Sequence, residues 1–221
     1  MDGNYLYILN INNFNDKDYN YAFNKVSEYR KTKTNKCIND SDKKLSIYAE
    51  LLLRYALDSL NIQSRFEFSF NEYDKPYLED TGIYFNISHC GHYVICAVSQ
   101  DEIGCDIELI KEYNDKVAKE FLNEKEYQTL SSVTSLDKKA NTYYRLWTLK
   151  ESFVKNIGIG MSVPLNSFSF ELLNDVQIRQ TINNNEYFFD EIELKDYKCA
   201  VCNSNNRVLN VVTVNKQDLL R

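Results

Sequence analysis

Asp106 and Glu108 stand two residues apart in the run Ile103-Gly104-Cys105-Asp106-Ile107-Glu108-Leu109. In an extended strand, side chains two apart share a face. The apolar positions 103, 105, 107 and 109 take the core face, so both carboxylates project from the other. Like charges this close repel unless water or a cation lies between them. A solvated strand face fits this pattern, and so does half of a divalent-cation site. Trp147, Glu151 and Lys155 form a second set, four apart and on one helical stripe. An exposed Glu–Lys pair at that spacing contributes only about 0.3–0.5 kcal/mol. Trp147 and Val154, however, turn the stripe toward protein. A third carboxylate beside the first two would make an oxygen-rich site for Mg2+, which takes few protein carboxylates and completes its octahedron with water and substrate phosphate. The third set is basic: Arg30, Lys31, Lys33, Lys36, Lys43 and Lys44, with Lys75 and His89 at a loop and a strand end. These residues can neutralise phosphates or simply form a solvated charged face. His89 and His92 are the only histidines, and no partner set of the zinc kind accompanies them.

The elements that must position these groups follow from periodicity. Residues 4–11 predict a first strand, and 17–31 a helix ending in the basic cluster. An amphipathic helix follows, capped by Ser41 or Asp42, with Leu45, Tyr48, Ala49, Leu52, Leu53, Ala56 and Leu57 on one side. Phe66–Phe70 alternates as a strand, and Lys75-Pro76 marks a loop. Ile83, Phe85 and Ile87 alternate with Tyr84, Asn86 and Ser88, which predicts a half-buried strand ending at His89. Tyr93–Ser99 is continuously apolar, hence a fully buried strand. Residues 114–132 predict a helix, and Asp137 caps a longer one reaching Ile157, where Gly158 stops it. Phe168–Val214 predicts several strands, two of them joined as a hairpin by Asn183-Asn184-Asn185. The fold class expected is α+β, with two similar helix-on-sheet halves, 1–104 and 105–221.

Composition narrows the function classes. The chain has 221 residues, enough for one large or two small domains with a real core. Only 6 glycines and 2 prolines are present, which disfavours a glycine-rich phosphate loop. The net charge of -6 argues against nucleic-acid binding. No apolar stretch is long enough to span a bilayer, and residues 1–15 lack the pattern of a signal peptide. The expected setting is the cytosol, where the six cysteines stay reduced. Cys199 and Cys202 make one CxxC with no second pair, so a packed strand is expected there rather than zinc.

Three segments carry a resemblance. Phe85-Asn86-Ile87-Ser88-His89-Cys90-Gly91 resembles F-N-x-S-H-x-G. Ile103-Gly104-Cys105-Asp106-Ile107-Glu108 resembles I-G-x-D-I-E. Trp147-Thr148-Leu149-Lys150-Glu151-Ser152-Phe153-Val154-Lys155 resembles W-[ST]-x-K-E-[SA]-x-x-K, followed by Gly158-Ile159-Gly160-Met161. Together they resemble the 4'-phosphopantetheinyl transferases of the surfactin-synthetase (Sfp) type, over about Arg30 to Cys202. Asp74-Lys75-Pro76 resembles the G-K-P loop of that family, with Asp in place of Gly. Leu45 stands where the family often has arginine, and Lys43 and Lys44 are nearby substitutes.

The resemblance implies a pseudo-twofold pair of halves with coenzyme A in the cleft between them. The first half would bind coenzyme A, and the second would hold the metal and catalytic residues. Asp106, Glu108 and Glu151 would hold Mg2+. Lys75, Ser88, His89 and Lys155 would contact coenzyme A, with Arg30, Lys33 and Ser46 toward its 3'-phosphate. A serine of an apo acyl or peptidyl carrier protein would attack the phosphorus bearing pantetheine, and 3',5'-ADP would leave. Glu151, or a water held by Glu108, would be the base. Lys155 would stabilise the leaving phosphate. Fatty-acid, polyketide and nonribosomal peptide carriers all remain open as the partner. A monomer is expected, with carrier docking at an apolar patch of Phe121, Leu122 and Tyr127. Two other classes use the same residues: a metal-dependent phosphodiester hydrolase and a non-catalytic coenzyme A binding module.

Overall fold

The computed structural model of the protein describes residues 2–172 and 176–221, with the side chain of Met161 left aside. The chain divides into two compact units: residues 1–100 with 207–221, and residues 101–206. The expected division kept 105–221 together. The last fifteen residues instead return to the first unit.

The first unit is built on a four-stranded sheet. Its strands are β1 (Asn4–Asn10), β4 (Tyr84–Cys90), β5 (Tyr93–Ser99) and β11 (Leu209–Val214), in the order β11-β1-β5-β4. β5 is antiparallel to both its neighbours, with Tyr7 opposite Cys96 and Ile87 opposite Cys96. β11 runs parallel to β1, with Leu6 opposite Val211. Parallel neighbours need a long crossover, and here the whole segment 101–206 lies between β5 and β11 in the chain. β5 is buried along nearly its whole length, as its unbroken apolar run requires.

Helix α3 (Asp40–Ser59) packs its apolar side on this sheet, with Tyr48, Leu52, Leu53 and Leu57 in the core. Asn39, not Ser41 or Asp42, is its N-cap residue, and no side chain bonds the cap. The single helix expected over 17–31 is two, α1 (Asp16–Lys25) and α2 (Glu28–Asn35). Val26 is extended, and Ser27 caps α2 through its hydroxyl, which restarts the helix in a new direction. β2 (Phe68–Phe70) and β3 (Pro76–Leu78) form a small hairpin. The strand expected from Phe66 starts two residues later because Phe66 has φ 55°. Pro76, expected in a loop, opens β3, the first-residue position that a strand tolerates for proline. Helix α7 (Lys216–Leu219) follows β11.

The second unit has an antiparallel sheet of β6 (Ile103–Leu109), β10 (Tyr197–Asn203) and β9 (Phe188–Leu194), in the order β6-β10-β9. Helix α6 (Leu136–Ile157) lies across it, capped by the Ser135 hydroxyl rather than by Asp137. Gly158 ends it at φ 71°, the left-handed stop that glycine makes without strain. The helix expected over 114–132 is again two, α4 (Asp115–Phe121) and α5 (Glu124–Ser132). Asn123 caps α5 in a reciprocal box with Glu126, which sets the break. β7 (Ser169–Leu172) pairs only with β8 (Val176–Arg179), and β9 pairs with β10. Asn183-Asn184-Asn185 is therefore a connection between two sheets, not a hairpin turn. Cys199 and Cys202 are buried in β10, as the packed-strand expectation has it. No helix among the described residues is long and apolar enough to cross a membrane.

Candidate active site

The acid pair lies under a helix, not in solvent. Asp106 pairs in register with Ala200, and Gly104 with Cys202; both partners belong to the core that α6 covers with Leu149 and Phe153. Asp106 is 3% exposed and Glu108 is half-buried. The expected solvated alternative for this face is thereby excluded. Ile103, Cys105 and Ile107 on the opposite face are fully buried as well, so the strand is covered on both sides and its alternation does not mark an inside and an outside.

Gly104 explains how α6 comes so close. A Cβ at this position would overlap the Ser152 carbonyl oxygen and the Asn156 backbone nitrogen. Only glycine lets the helix backbone settle against the strand. Asn156 then ties the helix down: its amide nitrogen donates to the carbonyls of Glu102 at 2.8 Å and Cys202 at 2.9 Å. Glu151 and Lys155 each stand one residue before a contact residue, Ser152 and Asn156, and so face the acid pair.

Lys155 donates to Asp106, Nζ to Oδ1, at 2.5 Å. This is the shortest description of the site's electrostatics: a nearly buried carboxylate holding an ammonium across the strand–helix contact. Burial alone would lower the Lys155 pKa, but Asp106 and then Glu151 outweigh it, so the amine stays charged. Burial pushes the Glu151 carboxyl above its ordinary range. Lys155 pulls it back, and Asp106 and Glu108 push it up again. Glu108 has Lys198 directly opposite it on β10. Trp147 is not free to meet a ligand along its whole face, since it packs against Phe121 at a ring separation of 4.9 Å.

Among the described residues, no group of three or more His, Cys, Asp and Glu side chains converges on a point that could hold a metal ion. The donor chemistry nevertheless suits a hard cation. Asp106, Glu108 and Glu151 supply oxygen only, and the upward push of two carboxylates on Glu151 is the repulsion that a cation would relieve.

In the sequence Lys150 is marked only as one position of the Trp147–Lys155 motif. It is fully buried, and its ammonium donates to the carbonyls of Leu165 at 2.8 Å and Phe168 at 2.6 Å and lies 2.9 Å from Glu126. Glu126 in turn accepts from the Phe170 nitrogen. Lys150 therefore anchors α6 and cannot also reach a substrate.

The residues expected around coenzyme A sit in the first unit. Arg30 and Lys33 are three apart on α2, on one side of the helix. Ser46 is buried on α3 and accepts from the Thr34 hydroxyl at 2.9 Å, which commits it to packing α2 on α3. Lys75 ends a tight loop in which the Asn71 side chain accepts from the backbone nitrogens of Tyr73 and Lys75, both at 2.9 Å. Asp74 has φ 64° there, the conformation that glycine favours, at the position where the G-K-P pattern has glycine. Ser88 and His89 are neighbours on β4 and point to opposite faces, Ser88 buried and His89 exposed. Asn86 and Ser88 are both buried, so β4 is not half-solvated as expected. Phe121 and Leu122 are buried in the core of the second unit. That corrects their expected role as a docking patch: nothing can dock on side chains already packed.

The chain matches two sequence families. Residues 102–202 match the 4'-phosphopantetheinyl transferase superfamily, and residues 13–101 match 4'-phosphopantetheinyl transferase, N-terminal. The chain is similar to the 4'-phosphopantetheinyl transferase gsp of Aneurinibacillus migulanus, 34% identical over 87% of this chain and 82% of that one. It is equally similar to the 4'-phosphopantetheinyl transferase Sfp of Bacillus subtilis (strain 168), 34% identical over 80% of this chain and 81% of that one. Among solved structures it is similar to a holo-(acyl-carrier-protein) synthase from Bacillus anthracis str. Ames in complex with CoA (3',5'-ADP). That likeness has 18% identity and a TM-score of 0.41 over 46% of this chain and 92% of that one.

Proposed function

The chain belongs to the 4'-phosphopantetheinyl transferase superfamily, and from that premise we infer how its own residues carry out the transfer. The enzyme moves the 4'-phosphopantetheine arm of coenzyme A to a serine of an acyl or peptidyl carrier protein, releasing 3',5'-ADP. The observation that carries the residue assignments is the contact of Lys155 with Asp106 beside Glu151, on a helix locked to the strand at Gly104.

Lys155 is a charged donor fixed in place before substrate arrives, so stabilising the departing phosphate needs no reorganisation. Glu151, with its pKa raised by burial, is a better proton acceptor near neutrality than an ordinary carboxylate. It takes the proton of the carrier serine. Asp106, Glu108 and Glu151 would hold Mg2+, which supplies neutralisation of the pyrophosphate charge when bound. Asp106 also holds Lys155, so one carboxylate serves both the ammonium and the metal. On the first unit, Arg30 and Lys33 meet the 3'-phosphate, and Lys75 and His89 meet the remaining phosphates. No covalent enzyme intermediate is needed, since positioning and electrostatics suffice for displacement at phosphorus.

The deciding experiment incubates the protein with coenzyme A, Mg2+ and an apo carrier protein and follows carrier mass. Gain of the phosphopantetheine mass is expected. Release of pantetheine phosphate without a carrier would assign a hydrolase instead, and binding without turnover would assign a coenzyme A binding module.

A further inference from the structure

Glu50 is a fully buried carboxylate in the middle of the apolar side of α3. A buried carboxylate without partners is strongly unfavourable, and this one is ringed by donors. Its Oε1 accepts from the Ser27 backbone nitrogen at 2.7 Å and from Arg54 Nη2 at 2.7 Å and Nε at 3.1 Å. Its Oε2 accepts from the Ser27 hydroxyl at 2.7 Å and lies 3.5 Å from Arg30 Nε. Ser27 is the N-cap of α2, and its hydroxyl accepts from the Arg30 backbone nitrogen at 3.2 Å. One carboxylate thus fixes both the start of α2 and one edge of the Arg30 guanidinium. Farther along the same helix, the Thr34–Ser46 hydrogen bond fixes it to α3 again.

The charges around Glu50 do not cancel. Arg30 and Arg54 bring two positive charges to one negative, and Lys33 adds a third near Arg30. The Arg30 side chain is only 10% exposed, and its Nε, 3.5 Å from Glu50 Oε2 in an ion pair, makes no hydrogen bond among the described residues. A guanidinium drawn to a carboxylate on its Nε side by charge keeps its terminal donors for another acceptor, and their fork suits phosphate oxygens. Lys33 lies on the same side of the helix, and its pKa is lowered by partial desolvation and by Arg30. A bound anion would relieve that strain between the two cations.

We propose that Glu50 is the positioning residue of the phosphate site on α2: it aims the terminal donors of Arg30, together with Lys33, at the 3'-phosphate of coenzyme A. Ser46 is then part of the mount that holds α2, through the bond it accepts from Thr34. The proposal rests on the reading of function given above, and adds to it a buried residue that touches no substrate.

The test compares coenzyme A with dephospho-coenzyme A in steady-state kinetics on the wild type, Glu50→Gln and Arg30→Ala. In the wild type, KM is expected to be higher for dephospho-coenzyme A with kcat little changed, the signature of lost uniform binding. In both variants that KM gap should shrink by at least about fivefold, and in Glu50→Gln kcat on either substrate should stay within about twofold of wild type. A merely structural Glu50 would lower Tm or raise KM for both substrates and leave the gap as it was, which overturns the proposal. An unchanged gap in Arg30→Ala overturns the phosphate reading of α2 itself. Collapse in Arg30→Ala without collapse in Glu50→Gln overturns the role of Glu50 alone. Should Glu50→Gln not fold, Ser27→Ala removes only the hydroxyl link. A gap reduced by about twofold supports the mount, and an unchanged gap refutes it.

Discussion

At the scale of residues, the site is a problem of too many charges in too little water. Asp106, Glu108 and Glu151 repel one another, and Lys155 is the cation that lets Asp106 stay buried. Removing either Asp106 or Glu151 takes away a charge whose task is to position or accept charge in the transition state. Asp106→Ala and Glu151→Ala are each expected to lose at least about 100-fold in transfer rate while remaining folded. Near-normal rates in either folded variant, measured by carrier mass gain, would remove that residue from the site. Lys155→Ala should lower kcat more than it weakens coenzyme A, because its donor acts on charge formed late. Lys150, its neighbour on the same helix, should behave differently. Its ammonium is spent on two carbonyls and Glu126, and breaking such a buried pair costs about 3–5 kcal/mol of stability. Lys150→Met should therefore show up in denaturant unfolding, with kcat of the surviving folded fraction close to wild type.

At the scale of elements, catalysis depends on how near α6 comes to β6. The spacing is set by the missing side chain of Gly104 and held by the Asn156 amide on two carbonyls. A methyl group at 104 meets backbone atoms, which cannot rotate out of the way. Gly104→Ala should cost at least about 1–3 kcal/mol as an overpacking change. It should also separate Lys155 from Asp106 and lower kcat. Urea unfolding and kinetics together check this. A variant as stable and active as wild type would show that helix and strand are not so close. The caps act at the same scale: Ser27 and Asn123 each interrupt a longer apolar pattern and turn one expected helix into two.

At the scale of the whole molecule, the chain end belongs to the first unit. β11 shields one edge of β1, and β1 would otherwise present unpaired backbone groups. Lys216 adds an ion pair from α7 to Asp18 on α1. Deleting residues 207–221 should therefore lower Tm and reduce the amide-exchange protection of Asn4–Asn10 more than that of Tyr197–Asn203 in β10. Equal protection in both strands, with Tm unchanged, would mean that β11 contributes nothing to the first sheet.

The chemistry was legible in sequence because it is local. The spacing of Asp106 and Glu108 on a strand, and of Trp147, Glu151 and Lys155 on a helix, fixes which side chains share a face whatever the surroundings. The buried run Tyr93–Ser99 and the stop at Gly158 were legible for the same reason. What packs on a face is not local. The alternation in β6 reads as one wet face and one dry face, but α6 covers the acids as well, and only the tertiary contact at Gly104 reveals this. Phe121 and Leu122 look like an exposed patch until Trp147 and its neighbours are seen packed on them. Glu50 looks like a misplaced charge on an apolar side until Ser27 and Arg30 close around it from α2 and its cap, with Arg54 one turn on in the same helix. The return of β11 to β1 has no local signal at all: strand pairing across two hundred residues is decided by which edges are left open once the rest has folded.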